Sequence, residues 1–280
     1  MLKKLFKYEW VFFWKVPTAI NVFLIIVTIV GVISLASPFW ELNLWGIDVL
    51  LGLAIFFYIM AIFACSIAVT VYVAVRYYKN IYTDEGYLTN TLPVTARQIV
   101  LSKLFTGLIW TLLTGIVVSI SVLSLVYTAF YASDSGFWAD VMRDFPDFLA
   151  IFREEMGISF SFYLLLLLIQ TVLSSAFSIL KIYTAIALGQ LFTKHKVAGA
   201  FLWYVGEFII FQIISSITTN ASPLSGGVFG YAFGVSYYNY SRLGDIIIPS
   251  TLISIATTLI FSAVLYFITE HMLKNQLNLD

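Results

Sequence analysis

Six continuous apolar runs constrain this chain more than any other feature. They fall at about residues 18–37, 49–75, 104–128, 157–192, 197–218 and 246–269. A bilayer core of about 30 Å needs ~20 apolar residues in a helix, and each run meets that length. The runs are unbroken rather than alternating, which excludes a transmembrane β-barrel. Only 11% of the residues are charged and 61% are hydrophobic, against roughly 25% charged in soluble domains. A water-soluble fold of this composition has no surface to show, so a soluble enzyme and a nucleic-acid binder are excluded. The expectation is an all-α integral membrane protein with six transmembrane helices, residues 1–280 forming a single transmembrane domain.

The prolines agree with these bounds. Pro17, Pro38, Pro93, Pro146 and Pro223 fall between runs, and Pro249 falls in the first turn of the last, where a missing N–H costs little. No A-x-A-like cleavage site follows the first run, so it is kept as structure. The lone Cys65 forms no intramolecular disulfide, and with His195 and His271 far apart no zinc site of ordinary spacing is available.

A net charge of zero conceals an asymmetry that sets orientation. Lys3, Lys4, Lys7, Lys15, Arg76, Lys79, Arg97, Lys103, Lys194, Lys196 and Lys274 lie on one side of the six runs, and Arg143, Arg153 and Arg242 on the other. The positive-inside rule then places both termini in the cytoplasm. Of the outer connections, the first carries Trp40 and Trp45, as an aromatic belt does. The second, residues 129–156, holds Asp134, Asp140, Asp144, Asp147, Glu154 and Glu155, and its Phe145, Phe148, Leu149, Phe152 and Met156 recur at helical spacing. That pattern predicts an amphipathic helix on the outer leaflet. The third, residues 219–245, is rich in Gly, Ser, Tyr and Phe and is expected to be partly re-entrant. No internal repeat is visible.

Two cytoplasmic elements carry more specific information. At 100° per residue, Lys3, Lys4, Lys7 and Lys15 share one side of residues 1–16, and Leu2, Leu5, Phe6, Phe12 and Phe13 the other. This is an interfacial helix, with Pro17 marking the turn into the bilayer. Glu9 lands on its apolar face, either at a wet edge or toward a neighbouring span or subunit. The second element is the connection from Arg76 to Lys103. Thr83-Asp84-Glu85 has helix-start chemistry, Pro93 ends that short helix, and Thr95 with Gln98 offers a capping box for the next. Tyr87, Leu88 and Leu92 would then face water in part, and such a surface calls for a partner.

The stretch Glu85-Gly86-Tyr87-Leu88-Thr89-Asn90-Thr91-Leu92-Pro93-Val94-Thr95, followed by Lys103, resembles bacterial type-2 ABC exporter permeases. The Tyr8-Glu9 pair resembles that family's elbow helix, and the six-span order agrees along essentially the whole chain. The resemblance implies a coupling helix within residues 80–100, reaching a separate ATPase through Asp84, Glu85, Gly86, Tyr87, Leu88, Thr89, Leu92 and Pro93. Lys194, His195 and Lys196 form a candidate minor contact on the same face. It also implies two ATPase copies, a second permease subunit (identical or paralogous), and residence in the bacterial cytoplasmic membrane. No cofactor is expected on this chain; ATP and magnesium belong to the partner ATPase. Leu224-Ser225-Gly226-Gly227 mimics the start of an ATPase signature, but it lies in an outer connection and no G-x-x-x-x-G-K-[ST] loop occurs, so ATPase activity is not expected here.

Charges within spans are rare and mark function or pairing. Lys181 and Glu207 fall about 20 Å and 16 Å above the inner surface at 1.5 Å per residue. They are expected either to form an ion pair, or to leave Lys181 snorkelling and Glu207 protonated or facing a wet cavity. Gln170 and Gln212 are further candidates for a translocation path. The fourth run is too long for a bilayer core, so it either tilts and projects or breaks near Ser174-Ser175 or Gly189. Amphipathic or antimicrobial peptides are the first substrate class the resemblance implies, with lipid, drug or ion as the alternative. A self-contained secondary transporter using Lys181 and Glu207 is the reading from a different class.

Overall fold

The computed structural model describes residues 2–37, 47–83, 86, 93–133, 136–192, 194–221 and 243–275. Among them the secondary structure is helical throughout: α1 (Leu2–Phe13), α2 (Lys15–Ala36), α3 (Ile47–Tyr82), α4 (Ala96–Ser133), α5 (Phe137–Met156), α6 (Phe160–Gly189), α7 (Lys196–Ala221) and α8 (Gly244–Asn275). Six of these, α2, α3, α4, α6, α7 and α8, are long and apolar enough to cross a membrane. Large apolar side chains such as Phe57, Leu123 and Phe267 stand about two-thirds exposed. Lipid accepts that surface and water does not, so the chain reads as a multi-pass membrane protein.

Local chemistry sets most of the helix ends. Pro17 lies in the first turn of α2 rather than in a turn before it, and the break between α1 and α2 falls at Trp14. The reason is the proline itself: it has no N–H for the Phe13 carbonyl four residues back, and its ring crowds that carbonyl. Pro146 likewise lies inside α5 and Pro249 in the second turn of α8, one turn further in than expected, because α8 starts at Gly244. At the other end of α5, Gly157 adopts φ +68°, a left-handed conformation that glycine enters freely. The Ser159 hydroxyl then accepts the Phe162 N–H and starts α6. This pair of signals shortens the fourth apolar run to a continuous helix ending at Gly189, with no break at Ser174-Ser175.

The Thr95/Gln98 capping box is formed in both directions. The Gln98 N–H donates to the Thr95 hydroxyl and the Thr95 N–H donates to the Gln98 side chain, each at 3.4 Å. Loss of such a cap costs about 1 kcal/mol. Thr95→Ala is therefore expected to speed amide hydrogen exchange in the first turn of α4 roughly fivefold, with the rest of α4 unchanged.

The chain divides into two compact units. The first comprises Met1–Arg76 and Phe105–Asp144. Here Asn21 of α2, buried, donates to the Thr114 hydroxyl of α4 at 3.1 Å. A polar tie of this kind between apolar helices fixes which faces meet. Leu125 packs where a Cβ on Gly31 would stand, at 3.3 Å, so α2 and α4 also approach closely. The interfacial helix α1 is held by rings: Trp10 stacks on Trp110 at 5.3 Å, Phe13 meets Tyr72 edge-on at 4.9 Å, and the Arg76 guanidinium lies over Phe12 at 5.7 Å. Glu9 is half-buried on this helix.

The second unit comprises Tyr77–Leu104 and Phe145–Asp280. Phe177, Leu180 and Leu265 form its core, with Leu104, Phe211, Phe261 and Tyr266 packed around them. The Thr184 and Thr269 hydroxyls meet at 2.9 Å, joining α6 to α8. The expected amphipathic helix exists as α5, and Phe148 and Phe152 of its apolar stripe turn toward Phe160 at the start of α6. The third outer connection lies almost wholly outside the described residues.

Candidate functional site

The connection expected to carry the coupling contact is flanked by helices longer than the apolar runs suggest. α3 continues through Arg76 to Tyr82 and α4 begins at Ala96, leaving only residues 83–95 between them. The Thr83 hydroxyl donates to the Lys79 carbonyl at 2.6 Å, so it closes α3 rather than starting a new helix. Gly86 is buried, and its N–H donates to the Thr83 carbonyl at 2.6 Å. A Cβ on Gly86 would collide with the Ile81 carbonyl, which explains glycine at this point of the motif. Pro93 is exposed. Asp84, Glu85, Tyr87, Leu88, Thr89 and Leu92 lie outside the described residues.

What holds these helix ends in place is a cluster that the sequence reading missed. Tyr77, fully buried, stacks face to face on Tyr183 of α6, with ring centroids 3.7 Å apart and planes 10° from parallel. The Tyr183 hydroxyl donates to the Lys103 carbonyl of α4 at 3.1 Å. One tyrosine of α6 therefore ties the end of α3 and the start of α4 at once. The available signal was the density of tyrosine at 77, 78, 82 and 183, which apolar periodicity does not distinguish from ordinary core.

Lys194, His195 and Lys196 come together at the tight connection between α6 and α7, lining an open concavity with Val197, Ala198 and Phe201. The His195 carbonyl accepts the Gly199 N–H at 2.9 Å, closing the first turn of α7.

The connection also sets how α6 and α7 meet. A Cβ on Gly189 would stand 2.6 Å from the Ala200 nitrogen, so the two backbones touch there. Lys181 lies eight residues before Gly189 and Glu207 seven after Ala200, which brings them to the same level on antiparallel helices. They do not form a direct ion pair. The Lys181 ammonium lies over the rings of Phe177 at 4.9 Å, Tyr204 at 5.7 Å and Phe208 at 5.8 Å. Both Glu207 carboxylate oxygens are buried without a hydrogen-bond partner among the described residues. Each charge nonetheless lies in the other's field. The rings prevail because an ammonium on a four-carbon stem reaches the Phe177 face one turn back on its own helix, a cation–π contact needing no movement of α7.

The remaining polar candidates separate. Gln170 donates to the Ser254 hydroxyl of α8 at 3.2 Å and is an interhelical tie. Gln212 is exposed on α7. Comparison of the chain with known protein families, curated proteins and solved structures finds no match.

Proposed function

We propose that the chain is the membrane subunit of an ATP-driven exporter, moving its substrate outward when a separate ATPase pushes on residues 80–100. One observation carries this reading. The helix ends that bracket Glu85-Gly86-Tyr87-Leu88-Thr89-Asn90-Thr91-Leu92-Pro93 belong to the same compact unit as α6, α7 and α8, tied there by the Tyr77–Tyr183 stack and the Tyr183–Lys103 hydrogen bond. Force applied at the surface segment therefore reaches the helices that carry Lys181, Glu207 and Gln170, and it does so through packing rather than chemistry. Two ATPase copies and a second permease subunit complete the complex, in a bacterial cytoplasmic membrane with both termini inside. The basic Lys194-His195-Lys196 turn supplies a second ATPase contact.

Amphipathic or antimicrobial peptides are the proposed substrates, and the acidic surface of residues 129–156 favours cationic ones; lipid, drug or ion export is the alternative within this class. A secondary transporter is the competing reading, favoured by a buried Glu207 carboxylate that has no hydrogen-bond partner among the described residues. Co-expression with the ATPase encoded beside the gene separates the two. The exporter reading expects stoichiometric co-purification, reduced about a hundredfold in affinity by Leu92→Asp and by Glu85→Lys. A charge forced unpaired into a contact costs several kcal/mol, and each ~1.4 kcal/mol is tenfold. A folded chain that purifies alone and tolerates both substitutions would remove the exporter reading.

A further inference from the structure

An ammonium ringed by aromatic faces, with a carboxylate beside it, is the recognition chemistry for organic cations. In this chain the ring faces come from α6 and α7, and the ammonium they hold is the chain's own Lys181. We propose that Phe177, Tyr204, Phe208 and Glu207 form a binding site for an amphipathic organic cation, occupied in this structure by Lys181 as a tethered stand-in that leaves when the ligand enters. The inference concerns ligand binding alone and needs no ATPase.

Three observations carry it. Lys181 is held by ring faces only; among the described residues its ammonium makes no hydrogen bond and no ion pair within 4.0 Å, so a competing cation displaces contacts that are individually weak. Glu207 has both oxygens buried and no partner among the described residues. A carboxylate in that state is poorly compensated, and a cation seated nearer than Lys181 stabilises it. Finally, the site opens sideways: Phe208 is 49% exposed, and its neighbours Val205 and Ile209 are 37% and 50% exposed. An apolar tail can therefore lie along the outer face of α7 while the charged head enters the box. A zwitterionic lipid headgroup does not fit this description. The box stands about 12 Å along α6 from Gly189, at 1.5 Å per residue, and a headgroup phosphate brought there would face Glu207.

The test uses the purified full chain in a neutral detergent, titrated calorimetrically with hexyltrimethylammonium and separately with phosphocholine. The wild-type chain is expected to bind hexyltrimethylammonium and to ignore phosphocholine. Lys181→Met empties the box and is expected to tighten binding at least about tenfold, while Tyr204→Leu and Glu207→Gln each weaken it at least about tenfold. If Lys181→Met does not fold, Lys181→Gln replaces it, and Phe208→Leu, at an exposed ring, provides the independent loss. A dissociation constant that none of these substitutions moves, or substitutions that lower only the melting temperature, would overturn the proposal. Binding of phosphocholine with the same dependence would overturn the amphipathic ligand in favour of a lipid headgroup.

Discussion

Gly189→Ala is expected to destabilise the protein, and Gly206→Ala on the neighbouring helix to leave it unchanged or slightly more stable. The two substitutions add the same methyl group to helical positions, where alanine is ordinarily favoured over glycine by up to about 1 kcal/mol. Their surroundings are opposite. A Cβ on Gly206 meets nothing within 4 Å, whereas one on Gly189 stands 2.6 Å from the Ala200 nitrogen and 2.7 Å from its Cα and Cβ. A crowded side chain changes rotamer, but a crowded backbone moves only with its helix. Overpacking costs about 1–3 kcal/mol where side chains yield, and the upper end is expected here after the propensity gain is offset. Thermal unfolding of the two variants side by side checks this. Equal melting temperatures would show that α6 and α7 do not need their close approach. Because that approach also sets the level of Lys181 relative to the rings of Tyr204 and Phe208 on α7, Gly189→Ala is expected to disturb cation binding together with stability.

Tyr77→Ala carries the second large effect. It removes a fully buried ring stacked at 3.7 Å on Tyr183, and large-to-small aromatic truncations in cores cost about 3–5 kcal/mol. The control is Tyr77→Phe. The Tyr77 hydroxyl is buried beside the Tyr82 hydroxyl, so phenylalanine keeps the stack and gives up that polar contact. That change is expected to be neutral or to cost about 1 kcal/mol. In the exporter reading the pair also separates binding from transmission. Tyr77→Ala is expected to retain the ATPase, whose contact surface lies beyond Tyr82, while losing substrate efflux; Tyr77→Phe keeps both. Efflux that persists in a Tyr77→Ala protein with ATPase bound would show that force reaches α6 by some route other than this stack.

The Thr95–Gln98 cap and the α5 amphipathic stripe were legible in residue order because each is complete within a few turns of chain. The same holds for the six spans, since in lipid every backbone N–H and C=O must be paired inside its own segment. The ends were less legible. The apolar run that suggests a span ending at residue 75 stops at Arg76, yet α3 continues to Tyr82, because Tyr77 and Ile81 are buried by packing that hydropathy does not record. Pro17 was visible, but its effect falls four residues earlier, on the Phe13 carbonyl, and so moves the break to Trp14.

The residue order of this chain determined, by itself, that it is helical, how many of its helices are long and apolar enough to span a membrane, and which charges are stranded in apolar surroundings. These are properties of local segments, decided by solvation of the backbone and of single side chains. The tertiary structure alone decided that Tyr77 meets Tyr183 and that Lys181 rests on three rings rather than on Glu207. It also decided that Gln170 is a tie while Gln212 faces outward. Those outcomes depend on how far apart two helices lie and how each is rotated about its axis. Apolar residues facing lipid and apolar residues facing protein have the same composition, so rotation and spacing are decided where helices touch, as Gly189 of α6 touches Ala200 of α7.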